Sequence, residues 1–166
     1  KLKKIRPDAA SDPSARQAKY TELRALITPS FLAKANREQG RLAFTAACGA
    51  CHQMFGQGGK LGPDLTGSDR RNLDYLLENI LNPSGAVAPE YQTARVKMKD
   101  GRLLTGIIAG KDARKVRLNT IGGIQDLDAE SVESITPSRE SLMPEGLLSA
   151  LPKELLRDLF GFLMQP

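Results

Sequence analysis

The two cysteines and the single histidine of this 166-residue chain all fall within Cys48-Gly49-Ala50-Cys51-His52. Two thiols at that spacing, followed at once by an imidazole, form the Cys-x-x-Cys-His signature of haem attachment. The two sulfurs must reach two vinyl positions on one edge of a porphyrin. The imidazole must then stand under the iron and give it one nitrogen. A turn at a helix end, with two small residues between the cysteines, meets both demands. Other chemistries compete for the same pentapeptide. A disulfide across four residues is one. A thioredoxin-like redox pair is another, but it wants a strand–helix setting that the flanking pattern lacks. Zinc wants four ligands, and Cys and His together supply three, all in one tight turn. The reading is one haem c, covalently bound through Cys48 and Cys51, with His52 as an iron ligand.

A second histidine cannot fill the other axial place, because His52 is the only one. Methionine is the natural alternative. Met54 lies too close to His52 in sequence to reach the opposite face. Met98 sits in a strand-like segment, and Met164 near the end of the last helix. Met143, in Ser141-Leu142-Met143-Pro144, stands just before that helix. Arg70, Arg71 and Tyr75 are candidates to pair with haem propionates, or equally to be solvated surface.

Three helices must position these groups. Over Asn36–Cys51, residues Gly40, Phe44, Cys48 and Cys51 share one face at helical spacing. Gly40 costs stability in a helix interior, which makes sense if another helix crosses closely there. Lys153–Met164, with Pro152 near its start, carries the stripe Leu155, Leu156, Leu159, Phe160 and Leu163 and is the expected partner. Leu73–Leu81 has Leu73, Leu76, Leu77 and Ile80 on its apolar face and ends at Asn82-Pro83-Ser84-Gly85. A lead-in helix is expected near Arg16–Ile27. Between the helical parts the period changes to two. Arg95–Lys99 alternates, Asp100-Gly101 is a hairpin turn, and Leu103–Ile108, Val116–Asn119, Ile124–Leu127 and Val132–Ile135 complete a meander. Its order faintly resembles a small Sm-like barrel.

Gly40-Arg41-Leu42-Ala43-Phe44, then the pentapeptide, then Leu159-Phe160-Gly161-Phe162-Leu163 resemble the class I cytochromes c. That resemblance implies crossed terminal helices. It also implies that the Gly62-Pro63-Asp64-Leu65 loop packs under the haem, with Pro63 and Leu65 in the site and the Pro63 carbonyl accepting from the ligand histidine. The Met143-Pro144 pair implies that Met143 is the second axial ligand beside His52. A longer series resembles the haem-binding domain family known from planctomycetes and verrucomicrobia, over roughly residues 36 to 166. It comprises Gly62–Gly67, Tyr75–Pro83, Pro89–Gln92, Lys99–Arg102 and Ser141–Leu147, in that order. That family implies a module attached to, or working with, an extracytoplasmic dehydrogenase.

The expected fold is mainly α: a class I cytochrome c fold with an inserted small antiparallel β-sheet or barrel-like subdomain, α+β overall. Residues 1–35 are linker and lead-in helix, 36–91 and 137–166 the haem domain, and 92–136 the insertion. The expected function is single-electron transfer with a redox partner protein or a fused dehydrogenase domain, rather than catalysis. The alternative is a haem sensor or peroxidase-like site with a labile sixth ligand. The residues expected to bind the cofactor are Cys48, Cys51, His52, Pro63, Leu65, Arg71, Tyr75 and Met143, with His52 and Met143 as the iron ligands.

Composition agrees. Hydrophobic residues are 40% and charged ones 26%, so the chain is globular, yet aromatics are only 5% and Trp is absent, which leaves a small helical core thin without added bulk. The net charge of +5 comes from Lys and Arg scattered among Asp and Glu, not from a basic run interleaved with aromatics, so nucleic acid is not an expected partner. No apolar run is long enough to span a membrane. Lys1–Arg6 is basic but no apolar stretch follows, so a mature form or excised fragment is expected. Covalent haem attachment implies a periplasmic or other extracytoplasmic location.

Overall fold

A computed structural model describes residues 12–166. The part of the expected linker that falls on residues 1–11 lies outside the described residues. The helices are α1 (Pro13–Leu26), α2 (Pro29–Leu32), α3 (Arg37–Ala47), α4 (Leu73–Leu81) and α5 (Lys153–Leu163). The strands are β1 (Gln53–Met54), β2 (Gln57–Gly58), β3 (Thr93–Met98), β4 (Leu103–Lys111), β5 (Lys115–Thr120), β6 (Gly123–Asp128) and β7 (Val132–Ser138).

The helices begin where side chains can satisfy the free amides of a first turn. Asp12 caps α1, Thr28 caps α2, Asn36 caps α3 and Asn72 caps α4, each accepting from one or two backbone N–H groups. Helix α3 is shorter than its apolar spacing suggested. It ends at Ala47, with Cys48 as its C-cap, so Cys51 lies beyond the helix in a turn. The reason is local: the N–H groups of Cys48 and Gly49 both reach the Phe44 carbonyl, which closes the last turn early.

Helices α3 and α5 cross in direct contact at glycine. A Cβ on Gly40 would lie 2.0 Å from the Asp158 carbonyl oxygen, and one on Gly161 would lie 2.3 Å from Ala35 Cβ. Buried Asp158 also accepts from the Asn36 N–H at 2.9 Å, which ties the start of α3 to the middle of α5. Phe44, Leu159, Phe160, Phe162 and Leu163 fill the crossing and join Leu73, Leu76, Leu77 and Leu81 of α4 in one buried cluster. Leu23 and Ile27 belong to the same cluster, so α1 and the residue after it pack into this core. Tyr20 donates to Asp74 at 2.8 Å and Arg16 to Asn82 at 3.1 Å, fastening α1 along α4.

The chain is not mainly α. It is 35% helix and 25% strand, with a five-stranded antiparallel sheet in the order β6-β5-β4-β3-β7. Alternation along these strands buries Val96, Met98, Val116, Leu118 and Leu127 in a second cluster of their own, separate from the helical one. That segment builds its own core and so adds a full β layer; the cytochrome-like part is only a portion of the chain.

Candidate haem site

The turn Cys48–His52 follows directly from α3. Cys51 N and His52 N both bond the Cys48 carbonyl, at 3.0 and 2.9 Å, so three functional side chains leave one tight loop. Gly59 N returns to the Gly49 carbonyl and Gly62 N to the Cys51 carbonyl, both at 2.8 Å, folding the glycine-rich segment back over the turn. That approach leaves no room for side chains. A Cβ on Gly59 would lie 2.1 Å from the Ala50 carbonyl oxygen, and one on Gly58 2.2 Å from that of His52.

His52 Nδ1 is 2.9 Å from the Pro63 carbonyl oxygen. A carbonyl only accepts, so Nδ1 carries the proton and Nε2 keeps its lone pair as the free donor to a metal. The ring also lies against Gly62, where an added Cβ would stand 2.8 Å from Cε1 and 3.0 Å from Nδ1. The loop holding Pro63 is braced in turn. Leu65 N bonds the Gln53 carbonyl at 2.8 Å. Thr66 Oγ1 donates to Asp64 Oδ1 at 2.6 Å while accepting from Phe55 N at 2.8 Å. The Thr66 hydroxyl and N–H hold the Asp64 carboxyl below the ordinary carboxylate range.

Cys48 and Cys51 are both free thiols and half-buried. Cys48 packs against the helical core. Burial, and secondarily the neighbouring Cys51, push its thiol up to about 11. Such a thiol stays protonated near neutrality, unlike the depressed thiolate of a redox pair. Among the described residues no cluster of three or more His, Cys, Asp or Glu side chains is arranged for a metal ion. Two thiols and a correctly tautomerised imidazole on one turn are the donor set that covalent haem needs, and the residues fit that group. The two sulfurs would tether it and His52 Nε2 would ligate its iron.

Leu65 is half-buried against the helical core, close in chain to Pro63. The remaining sequence candidates lie on other segments of the chain. Arg71 is exposed just before α4, and Tyr75, in its first turn, is 39% exposed. Met143 is half-buried in a turn after β7, its N–H bonded to Ser141 Oγ at 3.1 Å. Among the described residues no hydrogen bond, ion pair or ring contact joins Arg71, Tyr75 or Met143 to the His52 turn. Arg70, a propionate candidate from sequence, is buried and turned to backbone carbonyls, Leu163 at 3.0 Å and Thr66 at 3.2 Å among them. Phe55 was not singled out from sequence, and Gly62 only as part of the Gly62-Pro63-Asp64-Leu65 loop. Phe55 takes a left-handed φ of 51° and Gly62 packs on the imidazole. The only signal for Phe55 was its place beside a Gly-rich stretch.

The family model described as cytochrome c matches residues 37–107, under half of the chain, from the start of α3 into β4. The matched stretch contains the pentapeptide and the Pro63 loop and stops before Met143. No curated protein matches the chain. Among solved structures the chain is similar to a crystal structure of the pleiotropic translational regulator Hfq, at 21% identity over 40% of this chain and 89% of that one. The TM-score of 0.28 is too low for that likeness to carry a conclusion. The cytochrome c match, together with the Cys48–Cys51 spacing, supports a c-type cytochrome that binds haem c covalently through these two cysteines.

Proposed function

We propose that this chain carries single electrons through a His52/Met143-ligated haem c, as a module of, or partner to, an extracytoplasmic dehydrogenase. The observation that carries the reading is the 2.9 Å contact between His52 Nδ1 and the Pro63 carbonyl oxygen, on the same turn as both cysteines. Bound haem supplies a centre that takes up and gives back one electron. The protein's part is to fix the tautomer of His52, to hold the imidazole by a bond that raises its basicity, and to pack the Gly62 backbone against the ring.

The methionines sort in favour of Met143. Met54 is buried in the helical core and Met98 in the sheet core, and Met164 packs at the end of α5. Met143 is half-buried and belongs to neither buried cluster. Its segment is held at Ser141, whose N–H donates to Ser84 Oγ at 3.0 Å. A neutral thioether opposite the imidazole would favour ferrous iron and a raised potential. With His52 and Met143 both holding the iron, the haem would serve electron transfer rather than substrate binding at iron. The chemistry of covalent attachment supports a periplasmic or surface location.

The test is Met143→Ala in the haem-loaded protein. The parent is expected to be low-spin in both redox states, with a sulfur-to-iron charge-transfer band when oxidised and no carbon monoxide binding at neutral pH. The variant is expected to lose that band, become high-spin and bind carbon monoxide. A variant spectrum identical to the parent's would remove Met143 from the site.

A further inference from the structure

Arg70 is buried, with 6% of its surface exposed, and its hydrogen-bond partners are backbone carbonyls. Nη1 donates to Leu163 O at 3.0 Å and to Gln165 O, at the C-terminal end of α5, and Nε donates to Thr66 O at 3.2 Å. Its guanidinium carbon stands 4.9 Å from the centre of the Phe55 ring, and that ring meets Phe162 of α5 edge-on at 6.2 Å. A buried cation is costly unless its donors are used. Here the last carbonyl of a helix, at its negative end, a further carbonyl just past that helix and an aromatic face compensate it.

These contacts join two parts of the chain that matter to His52. Thr66 fixes Asp64 and the Phe55 N–H, and Asp64 follows Pro63, whose carbonyl holds the imidazole. Phe55 is three residues past His52, at the left-handed position that turns the loop. The fork of Arg70 therefore ties the loop on both sides of Pro63 to the end of the helix that crosses α3, from which the pentapeptide emerges. Lysine could bring the charge but not the fork: its single ammonium cannot match the planar spread of donors.

We propose that Arg70 is a positioning residue for His52, locking the imidazole-holding loop to the end of α5 and keeping a positive charge beside it. The proposal rests on His52 being the haem ligand. It predicts two separable effects. Losing the fork loosens the His52–Pro63 bond. Losing the charge lowers the reduction potential, because a nearby cation favours the iron state with the extra electron.

The experiment compares the haem-loaded parent with Arg70→Gln, Arg70→Lys and Leu118→Ala, the last a destabilising change in the separate sheet core. Two quantities are read: the exchange rate of the His52 Nδ1–H by NMR in the reduced protein, and the reduction potential by spectroscopic titration. Arg70→Gln is expected to speed exchange about tenfold or more, the scale of a lost charge-assisted hydrogen bond, and to lower the potential. Arg70→Lys is expected to speed exchange while holding the potential nearer the parent's, and it decides the matter alone if Arg70→Gln does not accumulate. Leu118→Ala is expected to move neither. Arg70 variants that lower thermal stability but leave exchange and potential at the parent's values would overturn the proposal. A parent protein with no iron-bound imidazole would overturn both this and the ligation on which it rests.

Discussion

Gly40→Ala sets two known effects against each other at the crossing of α3 and α5. Alanine in a helix interior is better than glycine by about 1 kcal/mol, so propensity alone predicts a stabler protein. The crossing predicts the opposite. The new Cβ would fall 2.0 Å from the Asp158 carbonyl oxygen and 2.7 Å from both Asp158 C and Phe162 Cβ. Comfortable contacts between such atoms begin near 3.5 Å, so the helices must part by about 1 Å or more. The obstacle is backbone, which cannot swing away as a side-chain tip would. Overpacking of this kind costs about 1–3 kcal/mol and occasionally more. Parting also strips contacts from Phe44, Leu159 and Phe162, all buried at the interface. The steric effect wins, leaving a net loss of about 1 kcal/mol. For a chain of this size that lowers the melting temperature by roughly 2–4 °C. The assay is thermal unfolding of the haem-loaded protein by far-UV circular dichroism. Gly110→Ala is the control, because nothing lies within 4 Å of the Cβ it would add. A Gly40→Ala melting temperature equal to or above the parent's would refute the close crossing.

Gly62→Ala would put a methyl group 2.8 Å from His52 Cε1, so the imidazole must tilt; shifted low-spin g-values of the oxidised protein, with unchanged far-UV dichroism, are expected. Unchanged g-values would show that the ring does not lean on Gly62. Asp74 is held below the ordinary carboxylate range, first by the Tyr20 hydroxyl and then by Arg24. A lowered folded-state value contributes stability present above the unfolded value and lost as pH falls through the folded one, so the loss begins below about pH 4. Asp74→Asn should therefore flatten the acid limb of urea midpoints measured between pH 3 and 7, and a limb as steep as the parent's would remove Asp74 from it. The group is exposed, so the difference should shrink with added salt.

The residues that do chemistry were legible because their types are rare in this chain. With one His and two Cys, all adjacent, the donor set is visible before any fold is assumed. The helices α4 and α5 were legible from their apolar stripes, and the sheet from alternation and the turn at Asp100-Gly101. The end of α3 was not, because helical spacing continues through Cys51 while the backbone has already closed on the Phe44 carbonyl. The weight of the β layer was underestimated for a different reason. Short alternating strands promise a half-buried surface, and only pairing shows that five of them enclose a second core. The burial of Arg70 was not legible, because a charged side chain in a loop says nothing of its direction. Only the fold brings the carbonyl ends of α5 within its reach.

The sheet segment leaves the helical part of the chain and returns to it at neighbouring points. Strands β3 and β7 are antiparallel neighbours, and Thr93 pairs with Ser138. Paired residues on such strands have Cα atoms only about 5 Å apart, so the chain comes back beside the point where it left. The loop-closure cost to the helical part is then set by that short gap and not by the number of residues in the sheet. Contacts at the root hold the gap closed: Thr93 Oγ1 donates to the Glu140 carbonyl at 2.7 Å, and Arg95 pairs with the Glu140 carboxylate at 2.7 Å. The next residue, Ser141, is bonded to Ser84 in the loop after α4, and its own hydroxyl accepts from Met143. The sheet thus ends in a clamp whose last links are the Met143 segment and the loop after α4. Its outer strands can vary while the helical core, which shares none of their buried residues, stays as it is.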